Sequence, residues 1–215
     1  MTSRRARYRQ HGNPFNVRGA IEVPDWDAIY GRAAPFAIDV GFGAGRFVIE
    51  LARQHREWNV LGLEIRDHWV DNVRRSATEL GLDNLHAMIA NANTHLDELI
   101  PATSVAFVSI NFPDPWFKKR HHKRRVVRRD WLDLLATKML PDGELHYMTD
   151  YESAAAQTLE LLRDHPDFVG AEGGFVAASS TGILTEREVS HGRREHPVFR
   201  IACKRVGAPA TSGVV

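Results

Sequence analysis

From Phe36 onward, short apolar runs alternate with longer segments in which apolar residues recur every three to four positions. The runs "FAIDV" (36–40), "NVLGLEI" (59–65), "NLHAMIAN" (84–91), "SVAFVSINF" (104–112) and "ELHYMTD" (144–150) have strand length and little polar alternation. That is the pattern of strands covered on both faces. Between them lie helical stripes. "RFVIELARQH" carries apolar residues at 47, 48, 51 and 52, and "HWVDNVRRSATELGL" ends near Gly81. A weaker helix is expected over 94–99. "RDWLDLLATKML" (129–140) stops at Pro141-Asp142-Gly143, and "YESAAAQTLELLRDH" (151–165) follows the fifth strand. Strand and helix alternate from 36 to 165, which predicts an α/β, Rossmann-like fold with a mainly parallel sheet and helices on both faces. A Gly-rich connection and a Thr/Glu-rich segment (181–188) lead to a closing strand, "PVFRIACKRV" (197–206), expected to run antiparallel.

The flanks differ in character. Residues 1–35 are arginine-rich and broken by Gly12, Pro14, Gly19, Pro24 and Pro35, which predicts a basic arm with little regular structure. Trp26 and Ile29 are expected to pack it onto the body. The main folded unit is then 36–206, and the tail 207–215 ("GAPATSGVV") is expected to be disordered.

Ligands of such sheets bind at the carboxyl ends of the strands. Here those ends carry the glycine turn 41–45, Glu64, Asn91, Asp114 and Asp150. In "DVGFGAG" the glycines fall at 41, 43 and 45, as G-x-G-x-G. A dinucleotide fingerprint needs a third glycine at 46, where Arg46 stands. Glu64, at the end of the next strand, is placed to accept two ribose hydroxyls. The pattern fits S-adenosylmethionine or a nicotinamide dinucleotide, and the spacing favours the first.

Composition narrows the class. The 215 residues are 43% apolar and 26% charged, ordinary for a globular chain. No apolar run reaches the roughly 18–20 residues of a membrane span. "MTSRRARYRQ" has no apolar core behind it and does not read as a secretory signal. The single cysteine, Cys203, excludes an intramolecular disulfide and a multi-cysteine zinc site. His121-His122 belongs to a basic run, so no metal site is expected. A cytoplasmic enzyme or binding protein is the expectation.

Charge changes the picture more. The chain holds 28 basic and 27 acidic residues, but Lys118 to Arg129 alone contains eight bases and no acid. The remainder is net −7, with 20 bases against 27 acids. A cationic ribbon directly after a strand end points to a binding partner.

The motifs "DVGFGAGRFVIELA", "LGLEIR", "ANA", "INFPDPWFKKRHHKRR", "MTD" and Thr185-x-x-Glu188 stand in the order found in tRNA (guanine-N7)-methyltransferases, and "RQHGNPF" resembles an N-terminal element of some members. The chain resembles that family from residue 9 to about 205. The resemblance implies a class I methyltransferase fold and methyl transfer from S-adenosylmethionine to N7 of a guanosine in the tRNA variable loop. It assigns Asp39, Gly41, Gly43, Gly45, Glu64, Arg66, Asn91 and Ala92 to the donor, and Asp114 to catalysis. Lys118, Asp150, Thr185 and Glu188 fall on substrate-side positions. Lys119, Arg120, Lys123, Arg124 and Arg125 would hold the RNA backbone, extended by Arg4, Arg5, Arg7 and Arg9. The implied partner is tRNA, with a monomer or homodimer and no partner subunit. Three positions depart from the family pattern: Asn91 stands for a frequent Asp, Phe117 for a frequent Pro, and Arg187 for a frequent aromatic residue. Another RNA or base as acceptor, or a non-catalytic RNA-binding relative, are the competing expectations.

Overall fold

The computed structural model describes residues 13–116, 119–191 and 197–207, the side chains of Phe15, Lys119, His122 and His191 excepted. The strands are β1 (Phe36–Val40), β2 (Asn59–Glu64), β3 (Leu85–Ile89), β4 (Val105–Asn111), β5 (Met139–Thr149), β6 (Phe168–Val169) and β7 (Phe199–Arg205). They form one sheet in the order β3-β2-β1-β4-β5-β7-β6. The first five pair in parallel, and β7 runs antiparallel to β5 and β6.

The helices are α1 (Trp26–Tyr30), α2 (Arg46–Gln54), α3 (Asp67–Glu79), α4 (Ala92–Leu99), α5 (Arg129–Lys138), α6 (Glu152–Arg163) and α7 (Glu186–His191). Alternation along each strand divides the core in two. Ile38, Leu61, Leu63, Val108 and Ile110 pack with Leu96, Leu99, Trp131, Leu135 and Leu162 of α4, α5 and α6. Their neighbours Ala37, Val60 and Phe107 point the other way, onto Phe47, Leu51, Val70 and Val73 of α2 and α3. Covering both faces removes the polar alternation from the strands, which is why they read as continuous apolar runs.

Strand order reverses between β1 and β4, so a crevice opens at their carboxyl ends. The glycine turn forms one lip. Gly41, Gly43 and Gly45 all have positive φ, at 74°, 56° and 90°. A Cβ on Gly45 would also lie 2.2 Å from Val73 Cγ2, so this glycine lets α2 pack on α3.

Several elements differ from the sequence expectation. The helix expected to reach 140 ends at Lys138, because Met139 pairs with Val105 in the sheet. Pro141-Asp142-Gly143 is a bulge inside β5, with Asp142 at φ 62°, and pairing resumes at Phe107–Glu144. The arm contains α1, too short for periodicity to reveal. Trp26 does dock, its indole N–H donating to Leu99 O at 2.9 Å. Ile29 remains 36% exposed, and Tyr30 takes its place, its hydroxyl donating to Val60 O at 2.9 Å. The edge strand β6 and the short α7 were also unanticipated. The expected tail disorder concerns residues almost all outside those described. No helix among the described residues is long and apolar enough to cross a membrane.

Candidate active site

The strand ends contribute polar groups that are held in different ways. Asp39, on β1, is 0% exposed. Its Oδ1 accepts from Ser109 Oγ at 2.8 Å and Asn111 Nδ2 at 3.2 Å, both on β4. Its Oδ2 is buried without a hydrogen-bond partner among the described residues. Burial pushes the carboxyl up to about 7, against the lowering effect of the Ser109 and Asn111 bonds, and the Glu64 charge adds to the rise. An orphaned buried acceptor beside a cavity is a position prepared for a cation or donor.

Glu64, 3% exposed, is held from several sides. Oε1 accepts from Ile65 N (2.8 Å), Arg66 N (3.2 Å) and Arg66 Nε (3.1 Å), while Oε2 accepts from Gly43 N (3.0 Å) and Arg66 Nη2 (3.0 Å). The glycine turn thus aims its Gly43 amide at the carboxylate of the next strand. Arg66, one-third exposed, borders both the cavity beside Glu64 and a wider groove.

Asn91 caps α4, its Oδ1 accepting from Asn93 N at 3.0 Å. Its amide hydrogens go to Pro14 O (2.8 Å) and Val17 O (3.2 Å). His95 bonds Asn91 N through Nδ1 and Gly19 O through Nε2. These contacts fasten Pro14, Val17 and Gly19 to the start of α4 and set Pro14 at the border of the cavity as a roof. An aspartate at 91 could accept the cap bond but could not donate to two carbonyls.

Gly41, Glu64, Asn91, Ala92, Pro14 and Asp114 border a cavity of about 130 Å³. A wider groove of about 810 Å³ continues from it, bordered by Asp39, Gly41, Trp69, Asp114, Asp150 and Arg187. Asp114 and Gly41 line both. The turn presenting Asp114 is unusual on either side: Phe112 and Trp116 have φ of 49° and 46°, in the left-handed region that bulky side chains avoid.

The remaining sequence candidates separate. Asp150 lies in the groove, ion-paired with Arg187 Nη2 at 2.8 Å, and the Arg187 guanidinium stands 5.3 Å from the Phe112 ring centre. Thr185 lines the groove, but Glu188 is turned inward. Its Oε2 accepts from Thr185 N and Oγ1, both at 2.9 Å, and its Oε1 from Arg200 at 2.6 Å. With Glu188 N donating back to Thr185 Oγ1 at 3.1 Å, the pair is a capping box for α7. Lys118 lies outside the described residues, as does the Lys119 side chain. In the 3₁₀ turn Lys119–Arg124, Arg120 and Lys123 are exposed. Arg124 is half-buried, lines the smaller cavity and lies 4.8 Å from the Trp116 ring centre. Arg125 is half-buried as well. No group of three or more His, Cys, Asp or Glu arranged for a metal occurs among the described residues.

Sequence reasoning passed over Ser109 and Asn111, which hold Asp39. The available signal was two polar residues at i and i+2 in an otherwise apolar strand, with Ser109 paired in register with Asp39.

Fold and site together define a methyltransferase: the Methyltransf_4 family model, which describes methyltransferases, matches residues 33–201. Solved methyltransferases share the fold. The 16S rRNA methyltransferase KamB aligns with TM-score 0.57 at 16% identity, covering 86% of this chain and 95% of that one. A methyltransferase from Streptococcus mutans solved with SAH aligns at TM-score 0.54 and 12% identity, covering 84% and 93%.

Sequence relatives are more specific. A tRNA (guanine-N(7)-)-methyltransferase of Synechococcus sp. (strain JA-2-3B'a(2-13)) is 37% identical over 202 residues, 93% of this chain and 84% of its own length. That of Synechocystis sp. is 35% identical over 207 residues, 94% and 98% respectively. That of Vibrio parahaemolyticus is 34% identical over 188 residues, 86% and 79%. The chain belongs to the tRNA (guanine-N(7)-)-methyltransferase family. The nicotinamide alternative falls with that membership.

Proposed function

We propose that this protein transfers the methyl group of S-adenosylmethionine to N7 of a guanosine in the variable loop of tRNA, acting in the cytoplasm. The observation that carries the reading is the position of Asp114, on the border shared by the Glu64 cavity and the wider groove.

The residues present suit the donor. Asp39 Oδ2, buried and unsatisfied, would accept from the ammonium of its amino-acid half, and Glu64 would take the ribose hydroxyls in exchange for the Arg66 bonds. Gly41, common to both compartments, keeps the passage between them open. Ala92 and the roof held by Asn91 enclose the adenosine half. When bound, the donor supplies an electrophilic sulfonium methyl.

The protein's own work is then positional and electrostatic. Guanine N7 has an in-plane lone pair and is unprotonated at neutral pH, so no general base is needed. Alignment of acceptor and methyl supplies roughly 7–11 kcal/mol in well-oriented systems. Methylation leaves the base positively charged, and the Asp114 carboxylate favours that developing charge. The same carboxylate can accept from guanine N1–H and N2–H, which adenine lacks in that arrangement. Asp150 and Thr185 stand on the substrate side of the groove, with Lys118 beside them in sequence, and Glu188 acts through Thr185. Exposed Arg120 and Lys123 hold phosphates, which gives register and affinity without base identity. Drawing the guanosine out of its tRNA pairing costs a few kcal/mol, which these contacts offset.

Incubation with unmodified tRNA and labelled donor, followed by borohydride–aniline cleavage, tests the reading. A single labelled cleavage site in the variable loop is expected. Label on another base, or on another RNA class in preference to tRNA, would overturn it.

A further inference from the structure

Within the cationic run Arg125 is bonded to the turn that carries Asp114. Arg125 Nε donates to the carbonyl of Pro115 at 2.8 Å, and its Nη1 bonds Gln157 Oε1 on α6. Pro115 is the residue directly after Asp114. Arg125 is fastened in turn: its own carbonyl accepts from Arg128 Nη1 at 2.9 Å, and Arg128 grips Asp130 at the start of α5 through two bonds of 3.0 and 2.9 Å. Arg125 shares a small cavity with Pro113, Asp114, Pro115, Tyr147, Gln157 and Thr158, beneath the turn.

The turn needs such support. Phe112 and Trp116, on either side of the Pro113-Asp114-Pro115 segment, both hold positive φ. Strained backbone of this kind persists only where its surroundings over-determine it. Pro113 and Pro115 also lack N–H groups, so the segment has few backbone donors with which to tie itself to the sheet. The Pro115 carbonyl is its handle, and Arg125 holds it. A guanidinium presents divergent donors in a rigid plane and can reach a carbonyl and a glutamine oxygen together. An ammonium can take the charge but not the geometry.

We propose that Arg125 is a positioning residue for Asp114, bracing the catalytic turn against α5 and α6, and not a ligand of the RNA backbone. The proposal rests on the methyl-transfer reading for its kinetic consequence, though not for its structural one.

Two variants separate the roles. Arg125→Lys keeps the charge and loses the two-acceptor fork, while Arg125→Gln loses the charge. Bracing predicts that Arg125→Lys lowers kcat on unmodified tRNA by about 10- to 100-fold, with tRNA affinity near wild type, since ångström-scale misplacement has effects of that order. It also predicts that Arg125→Gln leaves the slope of log affinity against log salt unchanged. A phosphate contact predicts wild-type kcat for Arg125→Lys and a slope shallower by about one for Arg125→Gln. Either result overturns the brace.

Amide hydrogen exchange across 110–117 reads the turn without turnover. It should quicken in Arg125→Lys and, more weakly, in Gln157→Ala, a neutral change on α6 that also serves if the Arg125 variants fold poorly. Unchanged exchange in Gln157→Ala and Arg125→Lys would overturn the proposal. A wild-type protein that makes no 7-methylguanosine would instead strike the proposed function, and the exchange result would still decide the brace.

Discussion

The proposed donor side and the proposed acceptor side of the crevice lie along one carboxyl edge of the sheet but are built by opposite means. On the donor side, Asp39 and Glu64 are buried carboxylates tied to neighbouring strands and to the glycine turn, through Ser109, Asn111 and Gly43. On the acceptor side, Asp114 stands on a turn of strained residues. Asp150 is ion-paired with Arg187 in the groove, and exposed Arg120 and Lys123 are carried by a short 3₁₀ turn. The difference follows from the ligands. A small donor of constant shape rewards a pre-formed, desolvated site, whereas a folded RNA must be admitted, opened and released. Rigid sheet edges serve the first and loops the second.

That contrast can be broken at several points. The largest effect should come from Asp114→Ala: kcat falls by about 10²–10³-fold, as when a transition-state charge loses its partner, while donor binding by calorimetry changes little. Equal losses in both would merge the two sides into one. Glu64→Ala should have the converse signature, raising the donor Kd by roughly 10- to 100-fold, the order expected for a lost charged hydrogen-bond partner, with tRNA affinity retained. Unaltered donor affinity would remove Glu64 from the ribose.

Reversing Arg120 and Lys123 to Glu should weaken tRNA binding and flatten its salt slope by about two, roughly one for each cation lost. An unchanged slope in filter-binding titrations would leave the ribbon without a phosphate role.

A smaller effect concerns pH. Asp39 sits at about 7 in the folded protein against 3.8 ordinarily, so the folded state holds this proton more tightly than the unfolded chain. The resulting stability is fully present below about pH 4 and is lost as pH rises through 7. A bound ammonium favours the ionised form instead. Donor affinity should therefore strengthen several-fold from pH 6 to pH 8, and Asp39→Asn should abolish that trend; a flat wild-type profile would count against the Asp39–ammonium contact.

Smallest of all, Thr185→Ala should cost about 1 kcal/mol through the lost cap and lower Tm by a few degrees. A raised KM for tRNA with Tm unmoved would make Thr185 a direct substrate contact.

The alternation of apolar runs and helical stripes was enough to yield the parallel sheet, its two covered faces and the five polar strand ends, because burial leaves its period in the chain. The motifs carried family membership for the same reason: a glycine turn and a Pro-Asp-Pro corner are local backbone constraints. What the linear chain could not convey was partnership across space. Arg120 and Arg125 are equivalent letters in one basic run, yet the first is exposed and the second bonds the Pro115 carbonyl. Thr185-x-x-Glu188 gives no sign in the sequence that Glu188 bonds Arg200, twelve residues further on. Met139 reads as helix until β4 offers it a partner. Asn91, its amide spent on Pro14 and Val17, is a clasp for the roof only because chain some 75 residues away in sequence returns to it. Hydrogen bonds and ion pairs act over about 3 Å in space without regard to sequence distance, so which polar groups are committed and which are left for a ligand is settled only by the folded chain.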